Sequence, residues 1–438
     1  MRDSKVAVVG AGYVGLTTAA CLASLGHEVV CADVNRAKVN ALCRGETTIQ
    51  EPGICELVVD GLAAQRLKFV LGASAAIPEA GIVFLCVPTP MGPDGAADLS
   101  ALESVVTELR RGLLPDCVVV NKSTVPVGTA VRVAGLLDRA DVAVVSNPEF
   151  LREGMAVRDF LGPDRIVIGS DDPDAAKRVA ALYGNLSAPV LLTDSASAEM
   201  IKYASNCYLA TRLSYVNTIA ELCEHLGADI GDVTAGMGYD PRIGRSFLQP
   251  GPGWGGSCLS KDTHALLRVA EDAGCGFPVL RAAIDTNVHQ HDLVVDKVRQ
   301  AVGGRLAGVR VGLLGLTFKA GTDDLRDSPA LEIADRMAAE GAELVGYDPA
   351  VDGPVPGATD RVQVAETAYH AAMGAAAVVL LTDWPEFRGL DWDRIAGLVA
   401  GRSVIDTRNL LDPLVLHRAG LSCLRIGHPA PDEVGLVR

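Results

Sequence analysis

Lys5-Val6-Ala7-Val8-Val9-Gly10-Ala11-Gly12-Tyr13-Val14-Gly15 joins a short apolar run to three glycines in the spacing G-x-G-x-x-G. The run predicts a buried parallel strand, and the residues from 16 to 25 predict the helix that follows it. Gly26-His27-Glu28 then turns into a second strand over 29–32, which ends at Asp33. A dinucleotide fingerprint needs this strand–turn–helix–strand context and an acid roughly 20 residues on. In it Gly10 makes the turn, Gly12 admits a pyrophosphate, Gly15 lets helix pack on strand, and the helix N-terminus holds the phosphates. Asp33 would accept ribose hydroxyls and repel a 2′-phosphate, which predicts NAD rather than NADP; Arg36 argues weakly the other way.

Working outward, the α/β alternation continues. Strands are expected over 82–87, 117–121 and 142–145, running into Pro88-Thr89-Pro90, Lys122-Ser123-Thr124 and Ser146-Asn147-Pro148-Glu149. Open α/β sheets bind ligands beyond the carboxyl ends of their strands, so Thr89, Thr124 and Glu149 fall on the ligand side. Glu149 and Glu153 are four apart; they share a face if the segment is helical and are otherwise a pair of solvated acids. From about residue 195 the character changes. A long Ala-rich amphipathic helix is expected over 197–226, with Lys202 and Asn206 one turn apart. A lysine there either snorkels from an apolar face or is oriented toward a developing oxyanion. Helices are also expected over 229–238 and over 278–302, the second roughly 35 Å long. His289 and His291 in that helix do not face each other, so no metal is expected there.

Between these helices lies Gly251-Pro252-Gly253-Trp254-Gly255-Gly256-Ser257-Cys258-Leu259-Ser260-Lys261-Asp262. The glycines let backbone approach a ligand, and Cys258 falls in the first turn of a helix expected over 258–270, where the dipole favours thiolate. Asp262 shares its face. A lone free cysteine is more often a buried small hydrophobe; the glycine run and Asp262 weigh against that here. A second α/β unit follows, with strands over 309–316, 343–347, 377–381 and 403–406 and a helix over 330–341. Its first turn, from Gly315 to Ser328, is not a dinucleotide fingerprint. It offers Lys319 and Arg326 at one strand end and Arg408 at another, as phosphate or carboxylate ligands or as ordinary surface charge.

The 438 residues call for two or three domains. Aromatics are only 4% of the chain, so the core must come from Ala, Val, Leu and Ile. The formal charge of -15 argues against nucleic acid as a partner. Eleven cysteines without a C-x-x-C pair read as reduced, cytoplasmic usage. No signal peptide fits the start, and no apolar run suits a membrane span.

These parts in this order resemble the UDP-glucose/GDP-mannose dehydrogenase family along essentially the whole chain. The resemblance rests on Gly10 to Gly15, Val87-Pro88-Thr89-Pro90, Ser123-Thr124-Val125-Pro126-Val127-Gly128-Thr129 and Asn147-Pro148-Glu149-Phe150-Leu151-Arg152-Glu153-Gly154. It continues through Lys202 to Asn206, Gly255-Gly256-Ser257-Cys258 with Lys261-Asp262, and Thr317-Phe318-Lys319 to Arg326. It implies two Rossmann-like doubly wound parallel sheets joined by a central helical domain with a long connecting helix. The expected boundaries are 1–195 for NAD binding, 196–302 for the centre, and 303–438 for the nucleotide sugar.

The resemblance also implies roles. Cys258 matches the nucleophile, Lys202 and Asn206 the oxyanion-stabilising pair, Glu149 the residue assisting thioester hydrolysis, and Thr124 and Asp262 the residues positioning water. Gly10, Gly12, Tyr13, Val14, Gly15, Asp33, Lys38, Thr89, Thr124, Glu153 and Arg326 fall where the family contacts NAD. Glu149, Phe150, Leu151, Lys202, Asn206, Arg242, Phe247, Leu248, Gln249, Gly253, Gly255, Phe318, Lys319 and Arg408 fall where it contacts the nucleotide sugar. Arg242 in the family reaches a neighbouring subunit, which implies a homodimer or larger oligomer. Ser260 departs from the proline of many members. The expected reaction is four-electron oxidation of a sugar C6 alcohol to the acid, with a UDP-, dTDP- or GDP-sugar as substrate. The rivals are a two-electron β-hydroxyacid dehydrogenase and a non-catalytic nucleotide sensor.

Overall fold

A computed structural model describes residues 5–47 and 49–429. The chain divides into two compact units, one of residues 1–205 with 264–275 and one of 206–263 with 276–438.

The first unit is built on an eight-stranded sheet. Its elements run β1 (Lys5–Val9), α1 (Tyr13–Ser24), β2 (Glu28–Asp33), α2 (Arg36–Cys43), α3 (Ile54–Ala63), β3 (Leu67–Leu71), β4 (Ile82–Leu85), α4 (Ser100–Leu109), β5 (Val118–Asn121), α5 (Thr129–Leu137), β6 (Ala143–Ser146), α6 (Ala156–Leu161), β7 (Ile166–Gly169), α7 (Pro173–Ala181) and β8 (Val190–Thr193). The spatial order is β3-β2-β1-β4-β5-β6-β7-β8. All neighbours are parallel except β6 and β7, which pair antiparallel through Ser146 and Gly169. The run Val6-Ala7-Val8-Val9 is apolar throughout because both sheet faces are covered. Val6 and Val8 join one cluster with Leu16, Phe84 and Ile168, while Ala7 and Val9 join another with Leu85, Leu102 and Val106. Side chains of period 2 on a doubly covered sheet give this continuous pattern.

Helix α8 (Ser195–Leu226) leaves the first unit and enters the second. It is followed by α9 (Ile230–Gly238), α10 (Gly256–Asp272), which passes back into the first unit at residue 264, and α11 (Pro278–Ala301). Asp229 caps α9 by accepting from Gly231 and Asp232 N–H, which explains the start at that point. The second sheet comprises β9 (Arg310–Leu314), β10 (Glu343–Tyr347), β11 (Gln363–Val364), β12 (Ala377–Leu380), β13 (Ser403–Asp406) and β14 (Ser422–Arg425). It is ordered β11-β10-β9-β12-β13-β14, with every pairing parallel. Helices α12 (Pro329–Ala339), α13 (Ala368–Ala372), α14 (Trp392–Leu398) and α15 (Pro413–Arg418) complete it. The same alternation recurs: Ala377 and Val379 face the cluster with Val294 and Ile333, and Val378 and Leu380 face that with Phe387 and Trp392. Both sheets reverse direction next to their first strand, between β1 and β4 and between β9 and β12, where such folds bind ligands.

Candidate functional site

In the first unit the glycine turn is as tight as its spacing predicts. Gly10 has φ +99°, and a Cβ there would stand 2.5 Å from the Cys86 carbonyl oxygen. A Cβ on Gly15 would stand 1.7 Å from the Gly10 oxygen, so helix and strand touch through bare backbone. Gly12, the N-cap of α1, meets nothing within 4 Å, and no side chain caps the helix. The space over Gly12 is thus open, and the first turn carries neither a side-chain cap nor an acid. This fits a pyrophosphate. Tyr13 and Val14, half-buried, continue the turn.

Asp33 is held ready by its own backbone. Its carboxylate accepts from Ala11 N–H at 3.0 Å and Asn35 N–H at 2.8 Å, and pairs with Lys38 Nζ at 3.2 Å. Burial pushes its pKa up, but these donors outweigh burial and hold it below the ordinary value. The hydroxyl of Thr89 donates to the Thr124 carbonyl at 2.8 Å, joining the loops after β4 and β5.

The segment from Pro148 to Met155 is a loop. Glu149 and Glu153 thus share no helical face, contrary to one expectation; a proline and a glycine flank them. Glu149 is buried and bonded, not solvated. It meets Lys202 Nζ at 2.8 Å and accepts from Leu151 N–H at 2.6 Å. Burial works to raise its pKa, yet the Lys202 charge, that hydrogen bond, the Leu151 N–H and Lys122 together hold it below the usual carboxylate value. The Lys202 ammonium lies 5.5 Å from the Phe150 ring centre. Glu149, Phe150, Leu151, Arg165 and Lys122 line one cavity of about 160 Å³. Lys122, two residues before Thr124, was given no role by the sequence. It is buried, donates to Asn147 Oδ1 at 3.1 Å, and is pushed down by burial to about 8. Glu199 also escaped notice: one turn before Lys202, it accepts from Gly128 and Ala130 N–H at 2.7 and 2.8 Å. It thereby clips the start of α8 to the loop after Thr124.

In the second unit Cys258 is exposed, so it is not a buried hydrophobe. It is the third residue of α10, where the N-terminal dipole favours a thiolate. One turn on, Asp262 is fully buried, accepting from Asn206 Nδ2 at 2.6 Å and pairing with Lys261 Nζ at 2.6 Å. Asn206 is thus oriented by a carboxylate.

The glycine run before Cys258 is held by a polar stripe. Asn287 receives Trp254 N–H at 2.7 Å and returns a bond to Trp254 O at 2.9 Å. Gln290 donates to Gly251 O at 2.8 Å, and Asn217 accepts from Gly251 N–H at 2.9 Å. The Trp254 indole donates to Ser214 Oγ at 2.8 Å. Asn287 and Gln290 were legible as polar residues at i and i+3 in an amphipathic helix, but not as backbone receptors. A Cβ on Gly255 would lie 2.1 Å from Asp327 O, and one on Gly256 2.7 Å from the Phe318 ring. A Cβ on Gly253 would lie 2.5 Å from His291 Nε2.

The other expected ligand residues divide. Arg408 is fixed by Leu381 O at 2.8 Å and reaches Phe318 O at 3.5 Å, beside Gly251. Lys319 stands 5.5 Å from the Phe318 ring centre. Leu248 is buried, whereas Phe247 and Gln249 are exposed. Arg242 is exposed and pairs with Asp240, and Arg326 pairs with Asp324. Among the described residues no His, Cys, Asp and Glu cluster could hold a metal, and no helix is long and apolar enough to cross a membrane.

Three family models match the chain. The NAD binding domain of the UDP-glucose/GDP-mannose dehydrogenase family matches residues 4–187, its central domain 196–289 and its UDP binding domain 312–413. A UDP-glucose 6-dehydrogenase of Rhizobium meliloti is 41% identical over 436 residues, covering 97% of this chain and 100% of the relative. One of Pseudomonas aeruginosa is 42% identical, covering 97% and 98%. A solved UDP-glucose dehydrogenase from Pyrobaculum islandicum superposes with TM-score 0.87 at 37% identity, covering 93% of this chain and 95% of that one.

Proposed function

Because the chain belongs to the UDP-glucose/GDP-mannose dehydrogenase family and is an NAD-dependent nucleotide-sugar 6-dehydrogenase, we propose that it oxidises UDP-glucose to UDP-glucuronate through a covalent Cys258 intermediate. The observation that carries the covalent step is Cys258 itself, exposed in the first turn of α10 at the end of a braced glycine run. NAD, when bound, supplies the hydride acceptor for each of two oxidations.

Between those oxidations the aldehyde must be retained. The Cys258 thiolate adds to C6, forming a C–S bond and an alkoxide. Lys202 and Asn206, one turn apart on α8, stabilise that negative charge. Loss of the second hydride leaves a thioester. Water, positioned by Thr124 and Asp262 with Glu149 as base, adds to the carbonyl; the C–S bond breaks, and the acid and the thiolate are released. Glu149 is anionic as a base requires, but its bond to Lys202 must open first. Lys202 therefore serves the alkoxide and the base in turn.

Gly10, Gly12, Tyr13, Val14, Gly15, Asp33, Lys38, Thr89, Thr124, Glu153 and Arg326 are assigned to NAD. Phe150, Leu151, Arg242, the segment 247–255, Phe318, Lys319 and Arg408 are assigned to the nucleotide sugar. The proposed domain boundaries are 195/196 and 302/303, and the proposed compartment is the cytoplasm. A homodimer or larger homo-oligomer is proposed, in which the exposed Arg242 would reach a neighbouring subunit.

UDP-glucose, dTDP-glucose and GDP-mannose are to be assayed with NAD, counting NADH per sugar consumed. Two NADH with UDP-glucose, and loss of acid formation in Cys258→Ala, are expected. One NADH per sugar would establish the two-electron rival, and no turnover with any of the sugars would defeat the reading.

A further inference from the structure

Glu51 stands in Gln50-Glu51-Pro52-Gly53, a stretch without a recognisable motif. It is buried, and its carboxylate gathers donors from distant parts of the first unit. One oxygen accepts from Ala156 N–H at 2.6 Å, at the start of α6. The other accepts from Gly154 N–H at 2.7 Å and from the Tyr13 hydroxyl. Gly154 N–H also approaches the Tyr13 oxygen at 2.9 Å. Tyr13 is the first residue of α1, so its backbone lies in the glycine turn while its phenol points to Glu51. Gly154 and Ala156 close the loop that carries Glu149 and Glu153. A single carboxylate thus ties the glycine turn to that loop. Isolated acids in turns are usually solvated; a buried one bonded to two N–H groups and a phenol is built for those partners.

We propose that Glu51 is a positioning residue: it latches the cofactor turn to the 148–156 loop and so holds Glu149 in its working orientation. Its effect on turnover rests on the proposed role of Glu149, whereas the latch itself does not. The latch has a use in a two-cofactor reaction. Each exchange of cofactor disturbs the N-terminus of α1, and a fastened loop keeps the hydrolytic carboxylate in place meanwhile.

Glu51→Gln tests this without changing volume. The carboxamide offers one acceptor oxygen and turns an NH₂ toward N–H groups that themselves need acceptors. A packing role alone would leave this variant like the wild type. Hydrogen exchange of peptides covering 148–160 should rise on the order of tenfold or more, with or without NAD, while peptides of β9 and β12 stay unchanged. Tyr13→Phe, which removes only the phenol, should raise the same peptides by a smaller factor, and it carries the test if Glu51→Gln does not fold. Unchanged exchange over 148–160 in the folded variants would overturn the latch.

Kinetics then judge the linked reading separately. Glu51→Gln should lower kcat more than it raises the KM for NAD, with a burst of two NADH per Cys258 before the slow phase. If Glu149→Gln turns over normally, the hydrolytic role of Glu149 fails, while the exchange result still decides the latch.

Discussion

The buried pair of Lys202 and Glu149 permits a quantitative test. The two side chains are only 5% and 7% exposed and meet at 2.8 Å. Lys202→Met keeps most of the volume and removes the charge, stranding a buried carboxylate. Breaking such a pair costs about 3–5 kcal/mol. Lys122 lines the same cavity and still offsets part of the charge, so the lower end, about 3 kcal/mol, is expected. For a unit of this size that corresponds to a fall in melting temperature of roughly 6–12 °C at pH 7. In the wild type the folded pKa of Glu149 is depressed. Its stabilisation is therefore present above the unfolded value near 4.5 and is lost as pH falls through the folded value. In Lys202→Met burial dominates and raises the folded pKa, so the sign reverses: the deficit is small near pH 4.5 and grows as pH rises. Scanning calorimetry from pH 4.5 to 8 reads this directly, with Lys202→Met/Glu149→Gln as the control that neutralises the stranded acid. A single variant melting within about 2 °C of wild type at pH 7, or a double variant no more stable than the single, would refute the reasoning.

Three further substitutions test other parts. Gly256→Ala combines a φ of +81° with a Cβ 2.7 Å from the Phe318 ring; strain and overpacking should destabilise by about 2–4 kcal/mol and displace Cys258, seen as loss of thiol labelling rate and of NADH production. Asn287→Ala leaves the Trp254 N–H and carbonyl without their partners in a buried setting; a loss of about 2–4 kcal/mol in urea unfolding is expected, with KM for the sugar rising more than KM for NAD. Lys122, pushed down to about 8 from 10.5, binds fewer protons folded than unfolded between those values, so stability should rise with pH across that interval. Lys122→Met should flatten the rise, measured as urea midpoints at pH 7 and 10.

What the sequence made legible follows from what leaves a periodic or compositional trace. The β1 run and its glycines were readable because a doubly covered strand is apolar on both faces and because close backbone contact at Gly10 and Gly15 admits no other residue. The long helices were readable from their apolar spacing, and their observed ends lie within a few residues of expectation. Cys258 was readable because a cysteine after clustered glycines is unusual. The state of Glu149 was not readable, since its spacing from Glu153 suits a helix or a loop equally, and Leu151, Lys202 and Lys122 decide between a solvated and a buried acid. Glu51 and Glu199 left no local signal, and Asn287 and Gln290 showed only as polar residues in an amphipathic helix. Each serves backbone groups that are mostly far off in sequence, and a polar side chain that satisfies a distant N–H looks in the sequence like any surface residue.

The two sheets share one architecture but differ at their first turns. In the first, the turn after β1 donates Ala11 N–H to Asp33 at the end of β2. In the second, the turn after β9 donates Leu316 N–H to Asp348 beyond the end of β10, at 2.8 Å. Gly10 and Gly315 both turn with positive φ. The two turns then diverge. Where Gly12 leaves open space over a helix N-terminus, Thr317 stands, and both its N–H and its hydroxyl bond to Asp348. Trp384 Nε1 adds a further bond at 3.1 Å. Asp348 is thereby occupied with the protein's own donors, and Phe318, next in the turn, lies against Gly256. No helix begins there either: α12 starts only at Pro329, so the second turn lacks the helix N-terminus that the first one has. The same turn now braces the glycine run that presents Cys258.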